Sequence, residues 1–176
     1  MELPDFIKLG NESPALGFVL IGGWAVGAHG YARATFDVDF MVRRSERAAW
    51  IERLTSCGLK LFRESGVFAQ FTQVAGDGLD LMFVDGPTFT KIRDASEERA
   101  FGDVKARVPC LDHLLAKKLH ALRQNLAHRT SKDVDDVEVL LRRHEINLAD
   151  PHYKTLFLKY GTSEIYETFV RLLHHS

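Results

Sequence analysis

The chain has 176 residues, 45% hydrophobic and 27% charged, with 23 Lys and Arg set against 24 Asp and Glu for a formal net charge of −1. That balance supports one buried core and argues against extended disorder and against a globally basic nucleic-acid binder, so any basic surface must be local. No apolar stretch approaches the roughly 20 residues that span a bilayer, and the start "MELPDFIKLGNESP" has no charged segment leading into an apolar one. Cys57 and Cys110 stand in no metal-ligand or disulfide spacing. The expectation is a cytoplasmic protein without a membrane partner or zinc site, whose two cysteines are small core residues.

In chain order, "GFVLI" ends in Gly22-Gly23, a short buried strand and a tight turn, and "WAVGAHG" gives about two helical turns stopped by Gly30. "DVDFMV" has strand composition. "SERAAWIERLTSCG" reads as a helix capped by Ser45, with Trp50, Leu54 and Cys57 on one face and Gly58 at its end. "VFAQFTQV" and "GLDLMFV" flank Ala75-Gly76-Asp77-Gly78 and predict a hairpin. Between Gly86 and Cys110 the pattern gives a helical start in "TFTKIRDASEERA" and a small edge hairpin in "FGDVKARVP". From Leu111 the period is helical: Leu111, Leu114, Leu115, Leu119 and Leu122 share a face, a second helix runs from about Ser131 to His144, and two more in the tail break at Gly161. The fold class is therefore α+β. A small mixed, mainly antiparallel sheet with flanking helices occupies residues 1–109, and a helical region expected to pack on it occupies 110–176.

Side chains alternate along a strand, so Asp37 and Asp39 share one face while Val38 and Phe40 point to the core. Two like charges on one surface repel unless a cation neutralises them, and Mg²⁺ (or Mn²⁺) prefers such oxygen ligands. Asp80 interrupts a strand that is apolar on both faces, a pattern expected of a central strand, where an unpaired carboxylate is costly. Beside Asp37 and Asp39 it would complete a three-carboxylate cluster able to hold two metal ions for phosphoryl-type displacement. A glycine turn at the end of a strand lets backbone N–H groups approach phosphate, which places β- and γ-phosphates at Gly22 and Gly23. Taken singly, an Asp-x-Asp or a Gly-Gly is more often a solvated loop or a plain turn; the order and placement of all three carry the reading.

With "IGG", thirteen intervening residues, "DVDF" and the later "LDLMF", the chain resembles the nucleotidyltransferase superfamily that includes DNA polymerase β and the CCA-adding enzymes. "GGWAVGAHGYARATFDVDF" is most similar to minimal nucleotidyltransferases related to the toxin component of AbiE-type systems, and "LLAKKLHAL" and "KDVDDVEVLL" resemble that group's later motifs. The resemblance covers about Phe18 to Leu141. It implies a Mg²⁺-dependent transfer of an NMP from an NTP to an acceptor hydroxyl, with Asp37, Asp39 and Asp80 as metal ligands and Asp80 assisting deprotonation. The acceptor is open between a tRNA end, a protein hydroxyl and an aminoglycoside-like small molecule. The alternative is a non-catalytic nucleotide-binding or toxin–antitoxin interaction protein with a cognate antitoxin. One departure is that Trp24 follows the glycines and no serine stands there, which leaves triphosphate contact to backbone donors.

Lys118 falls on the apolar stripe of its helix and so needs a partner or a function: contact with the triphosphate, help in pyrophosphate departure, or a stem that snorkels from the edge of the core. Asp133 faces inward on the next helix, either pairing with Lys118, orienting substrate or complementing the helix dipole, while Asp136 is expected to one side. Arg33 and Thr35 enter the metal strand, where Arg33 is a phosphate ligand or a solvated arginine. Trp24 and Trp50 read as packing residues. His29, His113, His120 and His128 have no metal spacing, and Lys117, Arg123, Arg129 and Lys132 form a loose basic cluster that either meets RNA or faces water.

Overall fold

A computed structural model describes residues 1–13, 15–74, 77–124 and 130–174. Ala75-Gly76 of the expected hairpin turn, together with His128 and Arg129, lie outside the described residues. The chain divides into two compact units, one of residues 1–28 and 32–110 and the other of residues 29–31 and 111–176.

The first unit is built on a five-stranded sheet of β1 (Phe18–Ile21), β2 (Asp37–Arg43), β3 (Lys60–Glu64), β4 (Phe68–Thr72) and β5 (Gly78–Val84), in the order β1-β2-β5-β4-β3. β2 and β5 pair in parallel and the other neighbours are antiparallel. The strand with two apolar faces, β5, occupies the centre, as burial on both sides requires. On one face Phe18 stacks on Phe40 at 4.3 Å and both meet Trp50 edge-on, with Trp50 and Leu54 of α3 (Arg47–Ser56) fully buried. On the other, Val19, Ile21 and Met41 pack with Phe89 of α4 (Gly86–Asp94), and Met82, Val84 and Ile92 border that cluster. Each such fully buried side chain contributes about 1.5–3 kcal/mol.

Asp85 turns the chain from β5 into α4. Its carboxylate accepts hydrogen bonds from the Thr88 backbone N–H at 2.8 Å and the Thr88 hydroxyl at 3.0 Å, and Pro87 sits in the first turn. A hairpin of β6 (Glu97–Phe101) and β7 (Val104–Val108) completes the unit. α2 (Gly22–Ala28) begins at Gly22, two residues earlier than its apolar pattern suggests.

The second unit contains α5 (Leu111–Arg123), α6 (Thr130–Arg143), α7 (Pro151–Tyr160) and α8 (Ser163–His174). Leu114, Leu115, Leu119 and Leu122 are buried along the expected stripe, against Val137, Leu140 and Leu141 in the core of the same unit. Phe157 and Phe169 join α7 to α8 edge-to-face at 5.7 Å across the break at Gly161.

Two elements, a helix at the start of the chain and the edge strand β3, lie outside the expected ones, and two expectations, for Ser45 and for the cysteines, are corrected. An amphipathic helix, α1 (Leu3–Asn11), occupies the start of the chain and buries Phe6 and Ile7. Ser45 does not cap α3 but lies in a 3₁₀ turn, Arg44–Glu46. Glu46 bonds both Arg43, at 2.7 Å, and the Gly17 N–H, at 3.2 Å, and so fixes that turn. Cys57 is exposed because it stands just past α3, where the helical count no longer applies, and Cys110 is only half-buried. β3, "KLFRE", carries no apolar alternation and all five residues are exposed.

The Thr88 hydrogen bonds hold the Asp85 carboxyl below the usual carboxylate range. A folded-state depression of this kind stabilises fully above the ordinary value of 3.8 and is lost as pH falls through the lowered one. Asp85→Ala is therefore expected to lower the melting temperature at pH 7, and the gap from wild type should shrink in melts at pH 3.

Candidate active site

The parallel register of β2 and β5 sets Asp39 directly beside Asp80 and Asp37 beside Gly78. Adjacent strands are about 4.8 Å apart, so the two half-buried carboxylates share one face at the middle of the sheet. Their neighbours Val38, Phe40, Leu79 and Leu81 are fully buried on the opposite face. One step along the carboxylate face comes the Met41–Met82 pair, packed in the α4 cluster, so the acids emerge where the cover of α4 ends. Gln70, the β4 residue opposite Asp80, donates its amide N–H to Asp80 Oδ2 at 3.0 Å. Asp37, farther along, is exposed.

Gly22 has φ +68°, and a Cβ there would lie 1.9 Å from Asp39 Oδ2. Backbone conformation and the carboxylate both demand glycine. A Cβ on Gly23 would meet Thr35 Oγ1 at 2.6 Å and the Arg33 guanidinium at 3.2 Å. The thirteen-residue spacer thus folds back on itself, bringing Arg33 and Thr35 over the glycine turn and Gly22 onto Asp39. Within the loop, Thr35 Oγ1 donates to the Asp37 carbonyl at 3.5 Å and Arg33 to the Ala34 carbonyl at 3.3 Å. A cleft of about 340 Å³ opens beside the turn, lined by Gly23, Trp24, Arg33, Thr35, Arg99 and Phe101 among others.

Lys118 and Asp133 belong to the helical unit. Lys118 is 7% exposed, and its Nζ lies 2.6 Å from Asp133 Oδ1 and 2.7 Å from Asp136 Oδ2. Pairing is thus the relation the structure shows for Asp133. Asp136, expected to one side, is fully buried: at i+3 from Asp133 and i−4 from Leu140 it lies on the inward stripe of α6. Any triphosphate contact by Lys118 would have to share the ammonium with two carboxylates.

The donor set of Asp37, Asp39 and Asp80 is all oxygen, suited to a hard divalent cation, and the enforced Asp39–Asp80 proximity gives a cation a reason to bind. Among the described residues no three His, Cys, Asp or Glu side chains are gathered into a metal cluster. The centre is therefore the Asp39–Asp80 pair, with Asp37 on the same face nearer the strand end. Gln70 was not anticipated from sequence, although its position between the buried Ala69 and Phe71 of an alternating strand marks it as polar on the carboxylate face.

Gly22→Ala should destabilise the chain by more than about 1–2 kcal/mol, because left-handed strain adds to the collision with Asp39. Gly58→Ala, at φ +87° with open space around the added carbon, should cost only the strain. Urea unfolding of the two variants measures the difference. Lys118→Met takes the ammonium away from the buried Asp133 and Asp136 carboxylates and is expected to cost about 3–5 kcal/mol, part of it recovered when Asp133→Asn is added.

No family model and no curated protein sequence matches the chain. Solved structures do. The antibiotic-resistance factor ANT(2'')-Ia in solution aligns over 99% of this chain and 96% of its own at 14% identity, with a TM-score of 0.65. Its crystal structure with adenylyl-2''-tobramycin aligns over 90% and 94% at 12% identity, with a TM-score of 0.67. The lincosamide antibiotic adenylyltransferase LnuA, bound to lincomycin, aligns over 78% and 93% at 18% identity, with a TM-score of 0.57. The α+β architecture of this chain, a mainly antiparallel sheet with flanking helices and a helical C-terminal region, is the nucleotidyltransferase fold.

Proposed function

We propose that the chain transfers an NMP unit from an NTP to an acceptor hydroxyl, releasing pyrophosphate. The observation that carries this reading is the alignment of Asp39 with Asp80, with the glycine turn seated against Asp39. A fold shared with a lincosamide antibiotic adenylyltransferase and with an antibiotic-resistance factor in complex with adenylyl-2''-tobramycin supports it.

In this reading Asp39 and Asp80, with Asp37 farther along the same face, would hold Mg²⁺ or Mn²⁺, which would offset the negative charge of the phosphates. Backbone N–H groups of Gly22 and Gly23 and the side chains of Arg33 and Thr35 bind the β- and γ-phosphates, so the leaving pyrophosphate lies toward β1 and α2. The acceptor oxygen forms a bond to the α-phosphorus as the bond from that phosphorus to the bridging oxygen breaks, and Asp80 accepts the hydroxyl proton. Gln70 is a positioning residue: its N–H fixes one Asp80 oxygen and directs the other toward the reacting groups. Lys118, paired with Asp133 and Asp136, holds α5 to α6.

Incubation with Mg²⁺, each α-labelled NTP and pooled RNA, protein or small-molecule acceptors tests this. Asp39→Asn and Asp80→Asn should each reduce labelled product by about a hundredfold or more, and Gln70→Leu by about 10–100-fold. Transfer that survives Asp39→Asn and Asp80→Asn unchanged would show that the carboxylates are not its centre.

A further inference from the structure

We infer that the acceptor approaches over β4 and β3 and carries a phosphate group beside the hydroxyl it offers. This rests on the nucleotidyl-transfer reading of the site. In-line displacement places attacking and leaving oxygens on opposite sides of the phosphorus. With the glycine turn, Arg33 and Thr35 on the β1 side of Asp39, the attacking hydroxyl comes from the Asp80 side, across Gln70 toward the edge strand.

What that edge presents is set by a β-bulge. The register of β3 on β4 shifts between Leu61 and Arg63, so Lys60 lies opposite Thr72, Leu61 opposite Phe71, and Arg63 opposite Gln70. In an unbroken strand Lys60 and Arg63, three residues apart, would point to opposite faces. With Phe62 as the extra residue, both lie on the face of Gln70 and Asp80. The guanidinium of Arg63 sits 5.4 Å from the ring of Phe68, which shares that face and holds the cation while leaving N–H edges for an anion.

The acidic residue of β3, Glu64, stands opposite Ala69 on the other face and accepts from Arg47 Nε at 2.7 Å. On the site face, beyond the metal carboxylates, β4 and β3 therefore offer an amide, a hydroxyl, an aromatic ring and two exposed cations, with no carboxylate. A polycationic aminosugar would meet like charge there. A phosphate would meet Arg63 in bidentate geometry, with Lys60 beside it.

Three acceptors are compared with NTP and Mg²⁺: a single-stranded oligoribonucleotide with a free 3′-hydroxyl, ribose 5-phosphate, and tobramycin. The first two share the phosphate and distinguish a nucleic-acid end from a phosphorylated small molecule. Lys60→Gln and Arg63→Gln are each expected to raise KM for the phosphate-bearing acceptor about tenfold, a larger effect than on kcat. Arg63→Lys should fall between wild type and Arg63→Gln, since charge remains and the fork is lost. An unchanged KM in the Lys60→Gln, Arg63→Gln double variant, or a preference for tobramycin over both phosphate-bearing acceptors, would overturn the inference. Wild-type chain that binds NTP but ignores both phosphate-bearing acceptors sinks this acceptor assignment alone; chain that binds no NTP sinks the transfer reading beneath it.

Discussion

The constraint on which the rest of the site depends is the parallel pairing of β2 with β5, which holds Asp39 and Asp80 side by side at the centre of the sheet, with Val38, Phe40, Leu79 and Leu81 fully buried on the opposite face. Two carboxylates about one strand spacing apart repel, and the strands cannot slip by one residue to relieve them without turning Val38, Phe40, Leu79 and Leu81 out of the core. Neighbouring features accommodate that tension. Gln70 donates to one of the four oxygens, Gly22 gives up a side chain so that the turn can reach Asp39, and α4 covers the sheet only as far as the methionines below.

From that pair the site divides into two sides of different chemistry. Toward β1 lie the glycine turn, Arg33 and Thr35, and a cleft bordered by Trp24 and Phe101, an arrangement suited to phosphate and the rest of a donor nucleotide. Toward β3 the bulge turns Arg63 onto the face of Lys60 and Gln70. The second unit carries a separate electrostatic device, one buried lysine shared by two aspartates of the next helix.

Much of this was legible in sequence because it depends on local periodicity. Alternation placed Asp37 and Asp39 on one face, two apolar faces put β5 at the centre, and the 3.6-residue period marked Lys118 and Asp133 as inward. Partner-dependent features were not legible. Ser45 has the chemistry of a cap, but Glu46, engaged by Arg43 and Gly17, fixes a 3₁₀ turn there instead. β3 has no apolar alternation because it is an exposed edge, and its bulge exists only relative to β4, so Arg63 could not be assigned a face. Asp136 was misplaced by reading one position of the stripe where i and i+3 both face inward. Gln70 became a site residue only when the register set it opposite Asp80.

The central claim is that the strand register brings Asp39 and Asp80 side by side so that they can hold a divalent cation with a nucleotide. Calorimetric titration of Mn²⁺ in the presence of a non-hydrolysable NTP analogue tests it on wild type and Asp80→Asn. Asp80→Asn is expected to bind Mn²⁺ about 10-fold or more weakly. A variant that binds Mn²⁺ as tightly as wild type would contradict the claim.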